Sequence, residues 1–377
     1  MAKKLREVFL ERSLKRKRLR DLGIKVGRLP TGKTNSIVDV PGVKVGHATL
    51  IDGTGKRKPG TGPIRTGVTV ISPNDDIYHK KLMAGGFILN GAGEMTGMIQ
   101  LNEWGLIETP IALTNTMSVG QVGSALSQWM VDQYKDIHSG RQVVIPVVGE
   151  CDDSFLNDSG GLHVKAHHVR EAVGNLSSEP PAEGAVGAGT GMICCDFKAG
   201  IGSSSRVVKI GSKSFNLGCL VLSNFGDMDE LRLDGVPIGK ALKKEFSYMK
   251  TRRENYGSII TVLATDLPLG PLQLQRLCKR AALGIGRVGS HAAHGSGEII
   301  LGFSTANVIP RDEPFYKLQM TNDSHINVAY EAAIEVVEEA IWNSLCMAVE
   351  MEGVEGNVAP SIPLERVSEV YNKQRVY

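Results

Sequence analysis

The chain has 377 residues, of which 42% are hydrophobic, only 5% aromatic, and 44 glycine. That length can bury a large core, and so many glycines favour a sheet-rich enzyme scaffold with tight turns over a helical bundle. A net charge of +3 gives no ground for a polyanionic partner, so no nucleic acid is expected.

Residues 1–20 carry nine Lys or Arg and two Glu, and read as a basic, solvated N-terminal extension. No apolar run approaches the ~20 residues of a bilayer span, so no membrane partner and a cytoplasmic location are expected. "GRLPTGKT", Gly27 to Thr34, fits the Walker A pattern, but a phosphate-binding loop must follow a buried strand and open a helix. Here it runs into "NSIVDVPG", where Val38, Val40 and Pro41 oppose a helix, so the letters mark a turn. "NSIVDVPGVKVGHATLI" reads as two short strands around Pro41-Gly42, and "TGVTVIS" and "RQVVIPVVG" read as further strands.

Between those last two, a helix after Ser118 carries Val122, Ala125, Leu126 and Trp129 at helical spacing. "GNLSSEPPAEG" (174–184) is a turn-rich surface loop. A helix opening at Pro271 has Leu274, Leu277, Cys278 and Ala281 on its apolar side. It leads into "GIGRVG", Gly284 to Gly289, which matches a dinucleotide fingerprint but follows a helix, the reverse of the required order. The last strong helix carries Tyr330, Ala333, Ile334, Val337, Ile341 and Leu345 on one stripe and ends near Gly353. The six cysteines show no C-x-x-C spacing and the nine histidines no H-x-x-x-H pair, so neither metal nor other cofactor is expected. The architecture implied is mixed α/β, with sheets covered by helices in layers.

The chemistry concentrates in two later stretches. In "ENYGSIITVLATDLPLG" polar sequence ends at Gly257, and Ser258 opens the short β-branched run of a buried strand. A hydroxyl there can simply satisfy a strand end. In "HGSGEIILGFSTAN", Ser296 and Glu298 are two apart, so an extended backbone puts both on one face, able to orient a third hydroxyl or merely to line a polar strand start. No convincing Ser–His–Asp set accompanies them.

"TNSIVDVPGVKVGH", "GAVGAGTGMICCDFKAGIGSSSR", "NYGSIITVLATDLPL" and "GSGEIILGFSTAN" together resemble the self-processing N-terminal-serine aminopeptidases. That family comprises the L-aminopeptidase/D-amidase/D-esterases and the β-peptidyl aminopeptidases. The likeness runs from about Pro30 to about Asn307 and more loosely to the final helix. It implies a four-layer α/β/β/α sandwich similar to that of N-terminal-nucleophile hydrolases but connected differently. It further implies one catalytic domain that cleaves itself at Gly257–Ser258 into residues 1–257 and 258–377, and a homotetramer of such pairs.

By the same resemblance, Ser258 would be the nucleophile, its freed α-amine the base, and Ser296 and Glu298 the network that activates it, with Glu298 also expected to pair with the substrate's free amine. Asn224, which otherwise reads as a turn residue, would serve the oxyanion hole. Substrates would be small peptides, amides or esters. Some relatives place a tyrosine in the segment matching "GECDDSFLND" (149–158), where this chain has Asp152, Asp153, Ser154 and Phe155 and no tyrosine. The alternatives are a sibling amide hydrolase acting on a pantetheine-like substrate, and a non-catalytic nucleotide-binding protein using Gly27–Thr34.

Overall fold

The computed structural model describes residues 15–246 and 256–374, so most of the basic N-terminal extension lies outside the described residues. Two sheets form its centre. The first has four strands in the order β1 (Lys44–Asp52), β2 (Ile64–Ser72), β5 (Ile111–Asn115), β6 (Val147–Cys151). The second has six, in the order β4 (Leu106–Ile107), β3 (Lys80–Gly91), β12 (Gly295–Pro310), β11 (Tyr256–Thr265), β10 (Lys213–Asn224), β9 (Ile201–Ile210). Two short hairpins, β7 (Ile193–Cys194) with β8 (Phe197–Lys198) and β13 (Met351–Glu352) with β14 (Val358–Ala359), complete the strands described. Pairing is antiparallel except between β5 and β6 and between β11 and β12.

The alternation of side chains along each strand builds the layers. Ile71, Leu113 and Val147 meet Leu222, Ile260, Val262 and Leu301 between the sheets. On the outer face of the first sheet, Val70 and Val148 pack under helices α1 (Val119–Gln133) and α2 (Ala166–Gly174) through Val122, Leu126 and Val169. On the outer face of the second, Val221, Ile259 and Leu263 pack under α3 (Pro271–Val288) and α4 (Asn327–Met347) through Leu274, Leu277, Val337 and Ile341. The result is the expected four-layer α/β/β/α sandwich. No helix among the described residues is long and apolar enough to cross a membrane.

Several elements differ from the sequence reading. Residues 36–40 form a turn of 3-10 helix, Ile37–Asp39, in place of a first strand. The cause is Asp39, whose carboxylate gathers Thr34 N and Oγ1, Ser36 N and Ser205 Oγ at 2.6–3.1 Å and so curls the chain. Strand β6 begins only after Pro146, which has no N–H for a ladder, and Val143 and Ile145 before it are largely exposed. Helix α4 ends at Met347, because Ala348 is extended and residues 351–352 enter the β13–β14 hairpin.

Helix α4 is also buried well beyond one apolar stripe, since Glu335 and Glu339 take the buried guanidinium of Arg206 at 2.7 and 2.6 Å and Glu339 takes Arg20 at 2.8 Å. The Walker-like segment closes on the same acids. Arg28 N and Leu29 N donate to the Glu335 carboxylate at 2.8 and 3.2 Å. Gly27 has φ +72° and passes so near that a Cβ would lie 1.9 Å from Glu335 Cδ. No helix follows the segment, which runs into the Ile37–Asp39 turn.

Candidate active site

Strand β11 lies inside the larger sheet because its sequence is apolar on both faces: Ile260, Val262 and Ala264 point into the inter-sheet core, Ile259 and Leu263 toward the helices. By that alternation Ser258 faces the space between the sheets, where the polar ends of the strands open. It is paired antiparallel with Asn224, the last residue of β10, and parallel with Gly297 of β12. With the 257–258 bond intact, Ser258 Oγ donates to the Gly257 carbonyl oxygen at 2.7 Å and accepts from Gly297 N at 3.3 Å. The hydroxyl thus sits against the carbonyl that precedes it. Gly257 has no positive φ, so no left-handed backbone explains a glycine there. Its small size serves close packing, since a Cβ would lie 2.2 Å from Asn224 O.

The other expected residues converge here. Ser296 and Glu298 flank Gly297, and the Ser296 hydroxyl donates to Glu298 Oε1. Glu298 is fully buried, and burial raises its carboxyl pKa; its second oxygen has no hydrogen-bond partner among the described residues. The Asn224 carboxamide is held at both ends, Oδ1 accepting from Ile193 N at 3.0 Å and Nδ2 donating to Asp152 O at 2.9 Å. An N–H from Ile193 can meet only an oxygen, so this bond fixes which end of the amide donates.

Sequence reasoning missed one carboxylate. Glu150, at the end of β6, comes from the other sheet, and its Oε1 and Ser258 Oγ both lie within 4 Å of the point where a side chain on Gly93 would begin. Glu150 is 3% exposed, accepts from Glu94 N at 2.8 Å and from the Thr116 hydroxyl, and has its pKa raised by burial. An acid ending an apolar strand run, "IPVVGE", was the only sequence signal for it. The 149–158 segment therefore contributes Glu150 and the Asp152 carbonyl. Asp152 itself accepts from Ser154 N at 2.9 Å, and Phe155 packs against a small cluster containing Leu156 and Ile193. His291 pairs with Glu230 at 2.7 Å.

Residues 35–359 match peptidase family S58. The chain belongs to that family. It is 40% identical to the β-peptidyl aminopeptidase BapA of Sphingosinicella microcystinivorans, over 95% of this chain and 92% of the relative. Among solved structures, the PH0078 protein of Pyrococcus horikoshii OT3 superposes with a TM-score of 0.90 at 45% identity, covering 95% of this chain and 99% of that one. The L-aminopeptidase D-Ala-esterase/amidase of Ochrobactrum anthropi, described as a prototype for the serine aminopeptidases and a variant of the Ntn-hydrolase fold, superposes at 0.87 with 39% identity and the same coverage. This S58 member is accordingly a hydrolase of the aminopeptidase and amidase type.

Proposed function

We propose that the chain cleaves itself at Gly257–Ser258 and then acts as an N-terminal-serine aminopeptidase on small peptides, amides or esters. The observation that carries this reading is the Ser258 hydroxyl lying 2.7 Å from the Gly257 carbonyl oxygen. Attack of Oγ on that carbonyl carbon, with the proton passing to the Ser258 nitrogen, moves the acyl group from nitrogen to oxygen. Water then hydrolyses the ester, leaving a Gly257 carboxylate and a Ser258 that bears both hydroxyl and α-amine.

An α-amine has a pKa of about 7.7–8.0 and can take the Oγ proton as the hydroxyl attacks a substrate carbonyl. The same proton goes to the leaving amine or alcohol, and water, deprotonated by the α-amine, then hydrolyses the acyl ester to release the acid and restore the Ser258 hydroxyl. Ser296 and Glu298 position the new amine, and the unpaired Glu298 oxygen offers it a buried acceptor. Asn224, in register with Ser258, supplies an oxyanion donor, an interaction typically worth about 3 kcal/mol of barrier. Glu150 replaces Glu298 as the group that receives the substrate's ammonium, because it approaches Ser258 from the opposite sheet and carries a buried charge suited to a cation.

The reading includes a cytoplasmic homotetramer of cleaved units. The described cysteines are free thiols, all buried, which suits a reducing compartment. Apolar side chains such as Leu89 and Leu283 line an exposed groove fit for a second copy.

Denaturing electrophoresis with N-terminal sequencing tests the proposal. The purified protein should give two fragments, one beginning "SIITVLATD", and Ser258→Ala should remain one inactive chain. An active enzyme with an intact 257–258 bond would overturn it.

A further inference from the structure

Lys198 is a buried basic side chain that the chemistry above leaves unused. It is fully enclosed, and its Nζ donates to the carbonyl oxygens of Met192, Ala199 and Gly189 at 2.7, 2.7 and 3.1 Å. Three acceptors occupy all three N–H bonds of an ammonium, whereas a neutral amine has only two to give. Burial holds the Lys198 pKa well below its ordinary value, and the buried Asp153 carboxyl opposes that shift only in part, so the three carbonyl acceptors are the geometric ground for an ammonium here. Enclosing an ammonium is costly unless hydrogen bonds replace its water, as these three carbonyls do.

The position is specific. The peptide group between Met192 and Ile193 accepts from Lys198 Nζ at its carbonyl and donates to Asn224 Oδ1 from its N–H. One peptide therefore joins the Lys198 amine to the carboxamide of Asn224, the residue in register with Ser258. Chained hydrogen bonds polarise one another in a low-dielectric interior, so a cation at one end draws electrons along the chain and strengthens the donor at the other. The same clamp holds the Gly189–Ala199 turn in the shape that presents Ile193 N to Asn224.

We infer that Lys198 is a positioning residue for the oxyanion step: through the 192–193 peptide it orients and polarises the Asn224 amide toward the developing negative charge. The inference rests on the proposed oxyanion role of Asn224. It differs from a purely structural role in what it predicts. A donor that strengthens only as charge develops changes kcat and leaves substrate binding alone.

The experiment is a double-mutant cycle of Lys198→Met and Asn224→Ala, read as self-cleavage rate and as kcat and KM for an amino acid p-nitroanilide, per mole of cleaved chain. Lys198→Met should lower kcat tenfold to a hundredfold with KM within twofold, and should slow self-cleavage. On the Asn224→Ala background the Lys198 effect should disappear in whichever rate remains measurable. Full activity of Asn224→Ala would remove the oxyanion reading itself. An impaired Asn224→Ala with a Lys198 effect that is absent, additive or confined to KM would overturn the inference while leaving that reading in place. Should Lys198→Met fail to fold, 15N spectra of lysine-labelled wild-type enzyme decide: a slowly exchanging ammonium at Lys198 supports the inference, and a neutral amine sinks it.

Discussion

Replacing Glu150 with Gln keeps the side-chain volume and an oxygen for Thr116 or Glu94 but removes the charge. If Glu150 receives the substrate ammonium, the substitution takes one charge-assisted hydrogen bond out of a site that is 3% exposed. Such bonds are worth about 1.5–3 kcal/mol, or about ten- to hundredfold in kcat/KM. The loss should fall on substrates with a free amine and spare their N-acetylated counterparts, so the assay is the ratio of kcat/KM for matched free and N-acetylated anilides. The pH profile adds a second readout. Burial raises the Glu150 carboxyl pKa, so its charge, and with it ammonium binding, is lost as pH falls through a value above the ordinary carboxylate range. KM for free-amine substrates should therefore climb on the acid side in the native enzyme and stay flat in Glu150→Gln. An unchanged preference for the free amine, or an acid limb that survives the substitution, refutes the assignment.

Three further perturbations test the scaffold. Glu335→Ala should lower stability by about 3–5 kcal/mol, because it strips the buried Arg206 of one carboxylate and orphans the Arg28 and Leu29 amides; Lys33→Ala should leave the thermal melt unchanged, and neither it nor the native protein should bind ATP in a titration. His47 has both ring nitrogens covered, Nδ1 against Thr69 Oγ1 at 2.9 Å, and burial lowers its pKa from 6.5 to about 4. Between those values the unfolded chain binds a proton that the folded one refuses, so stability falls as pH drops from about 6.5 to about 4, by up to about 3 kcal/mol. Melting curves at pH 7 and pH 4.5 should show a larger loss for the native protein than for His47→Gln.

The sandwich was legible wherever local pattern and tertiary environment agree. The run after Ser258 reads as a buried strand because both its faces are covered, and Val122, Ala125 and Leu126 read as a helix face because they pack on one sheet. The order Asn224, Ser258, Ser296, Glu298 was legible through family resemblance, and the β10–β11–β12 register explains how residues so far apart in sequence become neighbours. What failed depends on distant partners. The turn at 36–40 needs Ser205, and the acidic stripe of α4 needs Arg20 and Arg206. Glu150 is one acid among four in "GECDDSFLND" until the second sheet closes over the first and brings Gly93 beside Ser258.

The Walker-like letters carry more physics than a coincidence would suggest. Successive amides at a glycine-bearing turn form a concave donor surface, which is what a phosphate loop presents to its ligand. In this chain Arg28 N and Leu29 N form such a surface for Glu335, and Thr34 N and Ser36 N another for Asp39. The local sequence encodes a nest for anionic oxygens, and the fold decides whose oxygens fill it. Tethered carboxylates occupy these amides at an effective concentration no free nucleotide matches, and the buried Arg206 and the half-buried Arg20 hold the acids of α4 in place. At the Arg28 and Leu29 amides a phosphate would have to displace Glu335, which the buried Arg206 holds in an ion pair that costs several kcal/mol to break.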